Sequence, residues 1–392
     1  MGASAHGRRP MVATVLLFAA NGLAMATYAA CLPAIRAKLE IDEIGITGML
    51  LAGGVGAITG MQLSGRLTER YGARRVSLAA LPLLAAASTL MSLATAFPLV
   101  LLGSFLFGMG NGVLDISMNA LAVQVEKARA RPVMSAIHST WSLGQLMGSG
   151  CVLLLARTLS GGPALVTVAL LGAAGVLLVA LAVAFAIVPD IRTPRAVHDD
   201  GSHAKVPRVA YLLGTMAVAF GLAEGAAIDW SAIHVTDVTR VSPGVGAAGL
   251  VAVSAFMLVV RLLGDRLVAR IGRRRTVRVG GAAAALGFAV VAIVTAFPLV
   301  IAGWCLVGFG VGLIAPQVYA AAGHLGGARA LAVTLSFGYA SVFIGPAAMG
   351  GAIKVFGIQP AMWLPAALAA STLVFARAMP KQDAGLATSA DA

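Results

Sequence analysis

The sequence predicts an all-α membrane protein with twelve transmembrane helices in two related halves of six. Three observations lead to this prediction. Hydrophobic residues make up 59% of the 392 residues and charged residues only 11%, whereas a soluble domain carries about 25% charged residues. The apolar residues gather in twelve long runs, and two distant stretches of the chain repeat each other. This pattern excludes a soluble enzyme, a disordered chain and a fibrous protein.

The twelve runs are close to the roughly 20 apolar residues that a membrane-spanning helix needs. The first is too long for the apolar core of a signal peptide, and eleven more follow it, so we expect it to stay in the protein. In chain order the predicted spans are 11–35, 46–65, 77–96, 99–122, 134–157, 164–188, 209–233, 246–263, 277–296, 299–322, 330–352 and 361–379.

The basic residues predict the orientation of these spans. With a cytoplasmic N-terminus, 23 of the 28 Lys and Arg residues fall in cytoplasmic segments and span ends, and 5 fall on the outer side. Because short cytoplasmic loops are enriched in Lys and Arg, both termini are predicted to be cytoplasmic. The same assignment leaves no basic residue in the middle of the membrane. Since the basic residues are scattered between apolar runs, the net charge of +13 does not indicate a nucleic-acid-binding protein.

The sequence predicts neither a metal, nor a cofactor, nor an enzyme. Cys31, Cys151 and Cys305 lie in separate apolar runs with no metal-ligand spacing, so we expect them to be buried apolar residues. Neither a nucleophile–base pair nor a nucleotide-binding loop is present in the sequence.

An internal repeat divides the chain. Residues 95–112 and 295–312 are identical at 11 of 18 positions, and the pattern R-L-x-x-R-x-G-x-R-R at 66–75 recurs at 266–275 with the same offset of 200. The predicted domains are an N-terminal six-helix bundle (1–188), a cytoplasmic linker (189–208), a C-terminal six-helix bundle (209–379) and a cytoplasmic tail (380–392). Because six spans per half give both halves the same orientation, we expect a site between them near the membrane midplane.

A loop motif between spans 2 and 3 resembles the signature of the major facilitator superfamily, which usually has Asp at the position of Glu69. Further motifs in spans 4, 5 and 7 are similar to those of rhizopine-transporter-like and fucose-permease-like bacterial proteins: D-x-x-M-N from Asp115, H-S-x-W-S-x-G from His138, and E-G-A-x-x-D-W-S-A from Glu224. The resemblance implies a monomeric secondary transporter of the bacterial inner membrane that works by alternating access. The loop motif contains Gly65, Glu69, Arg70, Gly72, Arg74 and Arg75.

Two departures from the family's drug antiporters are visible. Those proteins usually carry an Arg in span 4 where this chain has Ser104, and a Pro in span 5 where it has Ser149. An ordinary drug-antiporter mechanism is therefore in doubt.

Three carboxylates, Asp115, Glu224 and Asp229, lie deep inside predicted spans, and His138 lies about one turn inside span 5. A charged side chain at such depth costs roughly 2.5–3.5 kcal/mol on insertion scales. With no Lys or Arg predicted at that depth, desolvation favours the uncharged form of a carboxyl group. All four are candidates for proton coupling, with Asp115 and His138 as an inner pair, Glu224 near the middle and Asp229 further out. Alternatively, the acids make hydrogen bonds between helices, and His138 caps or packs near a helix start.

Polar side chains in the spans are candidates for the substrate cavity. Asn111, Asp115 and Asn119 share one face of span 4, which favours a cavity over simple bonding between helices. The family architecture implies that spans 1, 4, 7 and 10 line this cavity. On those spans we expect Asn21 and Gln317 to bond hydroxyl groups, Tyr28 to contact substrate, and Trp230 to stack on a sugar ring or a cation unless it anchors the helix at the interface. Trp141 in span 5 is a weaker candidate.

The loop motif suggests a gate. Glu69 is expected to pair with arginines or a helix N-terminus when the halves close on the cytoplasmic side, although Arg70, Arg74 and Arg75 would also serve simply to set topology. The second copy has Ala269 instead of Glu69, and there Asp265 is expected to pair with Arg261 one turn back.

The resulting functional prediction is transport of a small sugar- or polyol-like solute, coupled to protons. An acidic cavity suits neutral polyhydroxy compounds or cations. The expected partners are the small-molecule substrate, protons and the lipid bilayer. Two alternatives stay open: proton-driven efflux of an amphipathic or cationic drug, and a non-transporting membrane sensor or assembly factor.

Overall fold

A computed structural model describes residues 3–129, 133–159, 162–187 and 208–379, and within these ranges the chain is helical and contains no β-strand. The predicted tail (380–392) and all of the predicted linker except Arg208 lie outside the described residues. The helices are α1 Ala3–Leu39, α2 Glu43–Tyr71, α3 Ala73–Leu93, α4 Phe97–Arg129, α5 Met134–Leu159, α6 Pro163–Ile187, α7 Arg208–Thr239, α8 Pro243–Gly246, α9 Ala248–Ile271, α10 Arg273–Ile293, α11 Phe297–Phe356, α12 Ile358–Ala361 and α13 Trp363–Phe375, followed by a 3-10 helix Ala376–Ala378.

Twelve helical segments of the described chain are long and apolar enough to cross a membrane, and each overlaps one predicted span. The eighth segment, Pro243–Gly264, combines α8 with most of α9, and the twelfth, Ile358–Phe375, combines α12 with α13. The residue between the two helices of each segment, Ala247 or Met362, keeps right-handed helical dihedral angles. The sequence prediction of twelve spans therefore agrees with the helices.

One connection differs from the expected pattern. The tenth and eleventh segments, Phe297–Ala322 and Val333–Phe356, belong to a single helix, α11, which runs without a break through 60 residues. At the corresponding place in the first half, α4 and α5 are separate helices. The first half has Pro132 where the second has Ala332. Alanine favours a helix interior and proline disfavours it, so Ala332 is compatible with the unbroken helix of the second half.

The sequence repeat is also a structural repeat with the same offset of 200 residues. Helix α3 begins after Gly72 and α10 begins after Gly272, and these glycines have φ values of 86° and 79°. Combined with their ψ values of 148° and 156°, these angles fall in a region that essentially only glycine adopts. Glu40 and Arg240, directly after α1 and α7, also share a positive φ, 52° and 58°. The two halves therefore repeat their turns as well as their helices.

The chain forms two compact units. Unit 1 contains Met1–Gly201 and Asp229–Ser254, and unit 2 contains Ser202–Ile228 and Ala255–Ala392. Helix α7 contributes its first part to unit 2 and its last part to unit 1. The domain limits proposed from the sequence stay a prediction.

Glycines set the helix packing of unit 1. Helix α2 packs against α4, and a Cβ atom on Gly108 or Gly112 would lie only 1.9 Å from the Gly53 carbonyl oxygen or 2.1 Å from that of Ala57. Small residues let helix backbones touch in lipid, where apolar burial gives little driving force. The Gly-x-x-x-Gly pattern of α4 thus acts as the contact surface for α2.

Unit 2 uses a similar glycine contact and an apolar core. A Cβ atom on Gly310 of α11 would lie 2.4 Å from the Ala284 backbone nitrogen of α10. Buried side chains from α7, α10 and α11 pack beside this contact, including Leu213, Met216, Phe220, Val277, Ile314 and Val318. These contacts position the middle of α7, where Glu224 lies.

The three cysteines have different surroundings. Cys31 is buried, Cys305 is partly buried and Cys151 is exposed, and all three are free. The prediction that all three are buried is therefore wrong for Cys151. This residue lies on a face of α5 that the described part of the chain leaves exposed, where a small apolar thiol is compatible with lipid.

Candidate functional site

Three predicted residues of unit 1 form a hydrogen-bonded group, which we call the amide cluster: Asn21, Asn111 and Trp141. The Asn21 side chain donates from Nδ2 to Asn111 Oδ1 at 2.7 Å and accepts at Oδ1 from Trp141 Nε1 at 2.8 Å. Asn21 is buried, whereas Asn111 and Trp141 are half-buried. The structure therefore unites residues of α1, α4 and α5 through uncharged polar groups.

Close packing of α1 on α5 fixes the amide cluster. A Cβ atom on Gly22 would lie 2.1 Å from the Trp141 carbonyl oxygen, and one on Gly144 would lie 2.1 Å from the Ala19 carbonyl oxygen. Glycine at both positions allows the two backbones to touch. This contact places the Trp141 indole within hydrogen-bonding reach of Asn21.

The polar stripe of α4 continues beyond Asn111. Asn119 Nδ2 donates to the Asp115 backbone carbonyl at 2.8 Å and to its carboxylate Oδ1 at 3.2 Å. Both side chains are half-buried. The stripe thus has two parts, because Asn111 bonds to another helix while Asn119 bonds back within α4.

The exposed His138 ring of α5 packs edge-to-face on Phe18 of α1, with ring centroids 5.0 Å apart. This is a packing contact of the kind that the sequence allowed as an alternative. The pairing of His138 with Asp115, and a role of either residue in proton transfer, stay predictions.

Tyr28 is enclosed by protein. Its hydroxyl lies 3.2 Å from the Ser104 hydroxyl, and its ring centroid is 5.1 Å from that of Phe107. The side chain is 7% exposed. Ser104, the position where the family's drug antiporters carry Arg, here serves as the hydrogen-bond partner of Tyr28.

Unit 2 contains an ion pair inside the spans. Arg261 Nη2 of α9 donates to Glu224 Oε1 of α7 at 3.0 Å. The side chains are 15% and 18% exposed, respectively. The expectation that no basic residue shares the depth of the acids is therefore wrong for Glu224. Arg261 lies ten residues before the end of α9, roughly 15 Å along the helix axis.

The sequence suggested a different partner for Arg261. The pairing with Asp265 involves a side chain outside the described residues, so it stays a prediction. The Glu224 contact was missed because Arg261 had been assigned to a span end by counting along the chain. The direction in which a side chain leaves its helix depends on how α9 is rotated against α7, and the hydropathy of the sequence does not give this rotation.

Two predicted residues lie in the part of α7 that belongs to unit 1. Asp229 is half-buried and makes no hydrogen bond or ion pair among the described residues, whereas Trp230 is 1% exposed. An interfacial anchor would present its ring to the surface. Trp230 is instead packed inside the protein, so stacking on a substrate would require its surroundings to open.

Gln317 of α11 is buried and already has a charged partner. Arg273, the first residue of α10, donates from Nη1 to Gln317 Oε1 at 3.1 Å. This contact ties Gln317 to the turn around Gly272. Its amide nitrogen is the group left to bond a substrate hydroxyl.

The predicted gate loop has an exposed acid. Among the described residues Glu69 makes no ion pair, and no side chain approaches the space next to Gly65. Arg70 lies over the Tyr71 ring at 5.2 Å. Arg74 donates to the Phe185 carbonyl oxygen at 3.0 Å, while Arg75 is exposed. The latch function of Glu69 stays a prediction.

Sequence reasoning missed an ion pair in unit 1. Arg36, near the end of α1, donates two hydrogen bonds to Asp237 of α7: Nη1 donates to Oδ2 at 2.8 Å, and Nη2 donates to Oδ1. A carboxylate oxygen of Glu43 lies 3.4 Å from Arg36 Nη1. A bidentate pair fixes orientation as well as distance. The opposite charges of Arg36 and Asp237 are a signal in the sequence, since both lie in the last turn of their helices.

Comparisons with known proteins identify the family of the chain. A model of the major facilitator superfamily matches residues 14–329. The chain is a member of this superfamily. An uncharacterised transporter, y4wD, of Sinorhizobium fredii is 33% identical over 341 residues, which cover 85% of this chain and 88% of that protein. An uncharacterised transporter of the same type from Yersinia pestis is 31% identical over 385 residues, covering 95% and 96%.

Further relatives extend the likeness. The membrane protein MosC of Rhizobium meliloti is 26% identical over 363 residues, covering 90% of this chain and 86% of that protein. The fold is similar to crystal structures of a mutant of the nucleoside transporter NupG (TM-score 0.72, 11% identity, covering 95% and 98%) and of a variant of the Escherichia coli fucose:proton symporter FucP (TM-score 0.63, 17% identity, covering 94% and 98%).

These findings confirm the predicted family and its fold of twelve transmembrane helices in two six-helix pseudo-repeats. The protein is a multi-pass membrane transporter of the superfamily. Because the family and the relatives are transporters, the prediction that the protein is not an enzyme is also confirmed.

Proposed function

We propose that this transporter moves a small sugar- or polyol-like solute by alternating access and couples that movement to protons. The observation that carries the proposal is the Glu224–Arg261 ion pair inside the spans. We place the protein as a monomer in the bacterial inner membrane with both termini on the cytoplasmic side, in accordance with the 23 basic residues on that side.

The ion pair supplies a group that can hold a proton. An arginine guanidinium does not give up its proton in proteins. When a proton binds to Glu224, the carboxylate loses its charge and the Arg261 contact weakens from an ion pair to an ordinary hydrogen bond. The two protonation states therefore favour different distances between α7 and α9, which links proton binding to helix movement.

The amide cluster supports an uncharged polar solute. Asn21, Asn111 and Trp141 are neutral and together offer hydrogen-bond donors and acceptors in the membrane interior. Although these groups bond to one another, the Asn111 amide nitrogen is still able to donate to a sugar or polyol hydroxyl. An apolar drug that displaced water from this donor would leave it unsatisfied, at a cost of about 1–3 kcal/mol. The neutral cluster thus favours the polyhydroxy solute over the amphipathic drug.

Purified protein in liposomes with a pH-sensitive dye inside tests this function. When L-fucose, D-mannitol or uridine is added so that a solute gradient forms across the membrane, we expect the wild-type protein to move protons together with the solute. Glu224→Gln, which imitates the protonated acid, should still exchange labelled solute between the two sides but should not accumulate it against a gradient. The pH dependence of transport should flatten in this variant.

The matched control is Glu40→Gln, which makes the same chemical change at an exposed position after α1. It should transport and couple protons as the wild type does. Proton-driven accumulation by Glu224→Gln with unchanged pH dependence would exclude Glu224 as the coupling residue. Movement of a cationic drug with none of the three solutes would favour the efflux alternative.

A further inference from the structure

Gln145 of α5 is a buried amide without a hydrogen-bond partner. The side chain is 1% exposed, and neither Nε2 nor Oε1 makes a hydrogen bond to any part of the chain that the structure describes. It lies eleven residues into α5, roughly 16 Å along the helix, and thus well inside the span. In lipid no bulk water can satisfy such a group, so an unpaired amide there is costly.

The position of Gln145 relates it to the amide cluster. Trp141 precedes Gln145 by one helical turn on the same face. The backbone nitrogen of Gln145 would lie 3.2 Å from a Cβ atom on Gly22, the residue after Asn21. Asn21, Asn111 and Trp141 all have partners, and Ser149, one turn later, bonds to the Gln145 backbone carbonyl at 2.8 Å. The Gln145 side chain alone among these polar groups is unsatisfied.

We propose that Gln145 is a substrate-binding residue whose carboxamide recognises two adjacent hydroxyl groups of an uncharged solute. The oxygen accepts a hydrogen bond from one hydroxyl, and the nitrogen donates to its neighbour. This proposal rests on the proposed transport function. Because Gln145 is enclosed, its surroundings must open to admit the solute and then close around it, as a transporter does when it occludes its substrate. The amide cluster is uncharged and offers nothing to balance a charged ligand.

The first measurement uses the purified full-length protein without any solute. Gln145→Met keeps the length of the side chain and removes its polar atoms. We expect the melting temperature in detergent to rise, because an unpaired buried amide is lost. The control Met147→Leu changes an exposed residue of the same helix and should leave it unchanged. A fall in the melting temperature of Gln145→Met would show that the amide makes stabilising bonds, and would overturn the proposal.

The second measurement compares matched solutes by their effect on the melting temperature. L-fucose and uridine each carry adjacent hydroxyls, and 2-deoxy-L-fucose and 2′-deoxyuridine lack one of them. We expect the wild type to bind at least one parent compound about tenfold more tightly than its deoxy analogue. Gln145→Met should bind the pair equally well.

Two results would overturn the proposal: a variant that keeps the wild-type preference, or a wild type that binds none of the four compounds. The proton assay on Glu224→Gln is read separately. If the wild-type protein couples protons normally but binds the parent and deoxy compounds equally well, the role of Gln145 is refuted and the transport function still stands.

Discussion

The two repeats place different chemistry at equivalent positions. With the offset of 200, Glu224 and Arg261 of the second repeat correspond to Ala24 and Met61 of the first, while Asn21 of the first corresponds to Gly221 of the second. The turns around Gly72 and Gly272 coincide, so these are the same places in the fold. One repeat therefore carries a neutral hydrogen-bonding cluster and the other an ion pair. The two repeats share their spans and the turns around Gly72 and Gly272, whereas these polar residues differ.

The largest effect is expected when the second repeat is given residues of the first. Arg261→Met leaves the Glu224 carboxylate without its charged partner, so it should destabilise the protein by roughly 3–5 kcal/mol and abolish proton-coupled transport. Adding Glu224→Ala recreates the Ala24 and Met61 pair. Because replacing both ions is often neutral, the double variant should recover most of the melting temperature but not transport.

Melting curves in detergent and proton flux in liposomes measure these two outcomes. If Arg261→Met is as stable as the wild type, the ion pair does not hold α7 to α9. If the double variant transports solute with protons, the contrast between the repeats has no functional meaning.

A smaller effect is expected at the helix contact that supports the amide cluster. Gly22→Ala would bring a methyl group against the Trp141 carbonyl oxygen, pushing α1 from α5 and stretching the Asn21–Trp141 hydrogen bond. We expect a loss of about 1–3 kcal/mol and weaker solute binding. The control Gly172→Ala, where nothing lies within 4 Å of the added atom, should be neutral or slightly stabilising. Equal melting temperatures for the two variants would refute this packing account.

The smallest effect concerns the ion pair between α1 and α7, which also lacks a counterpart, since positions 236 and 37 are Thr and Ala. Asp237→Asn should lower stability by about 1 kcal/mol, because the pair is partly exposed and Glu43 stays near Arg36. High salt should shrink this difference. Asp42→Asn, at an exposed cap where both residue types perform well, is the control. A difference that does not depend on salt would contradict the electrostatic explanation.

The sequence allowed prediction of the spans, the repeat and the residue types of the amide cluster. Apolar length defines a span, and a constant offset defines a repeat, so both can be obtained without coordinates. The partners could not be predicted. The bond between Asn21 and Trp141 depends on how α1 and α5 are rotated against each other. The glycines allow this rotation, but their positions in the sequence do not reveal it.

Arg261 shows the same limit more sharply. Its position along the chain indicates a span end, and Arg261 is therefore included among the 23 cytoplasmic basic residues that predict the orientation. A long side chain leaving a helix can reach several ångströms from its own Cα, and only the packed structure shows that it ends at Glu224. Gln145 had no motif to mark it, because an unsatisfied amide is a property of its surroundings.

The backbone contact between α1 and α5 restricts how solute can be handled. With the Gly22 and Gly144 surfaces touching main chain to main chain, neither helix can slide or tilt alone without steric collision. Asn21, Trp141 and Gln145 therefore lie on a rigid pair of helices that move together. A molecule bound there would move together with both helices, and its contacts with these residues would stay the same from one side of the membrane to the other.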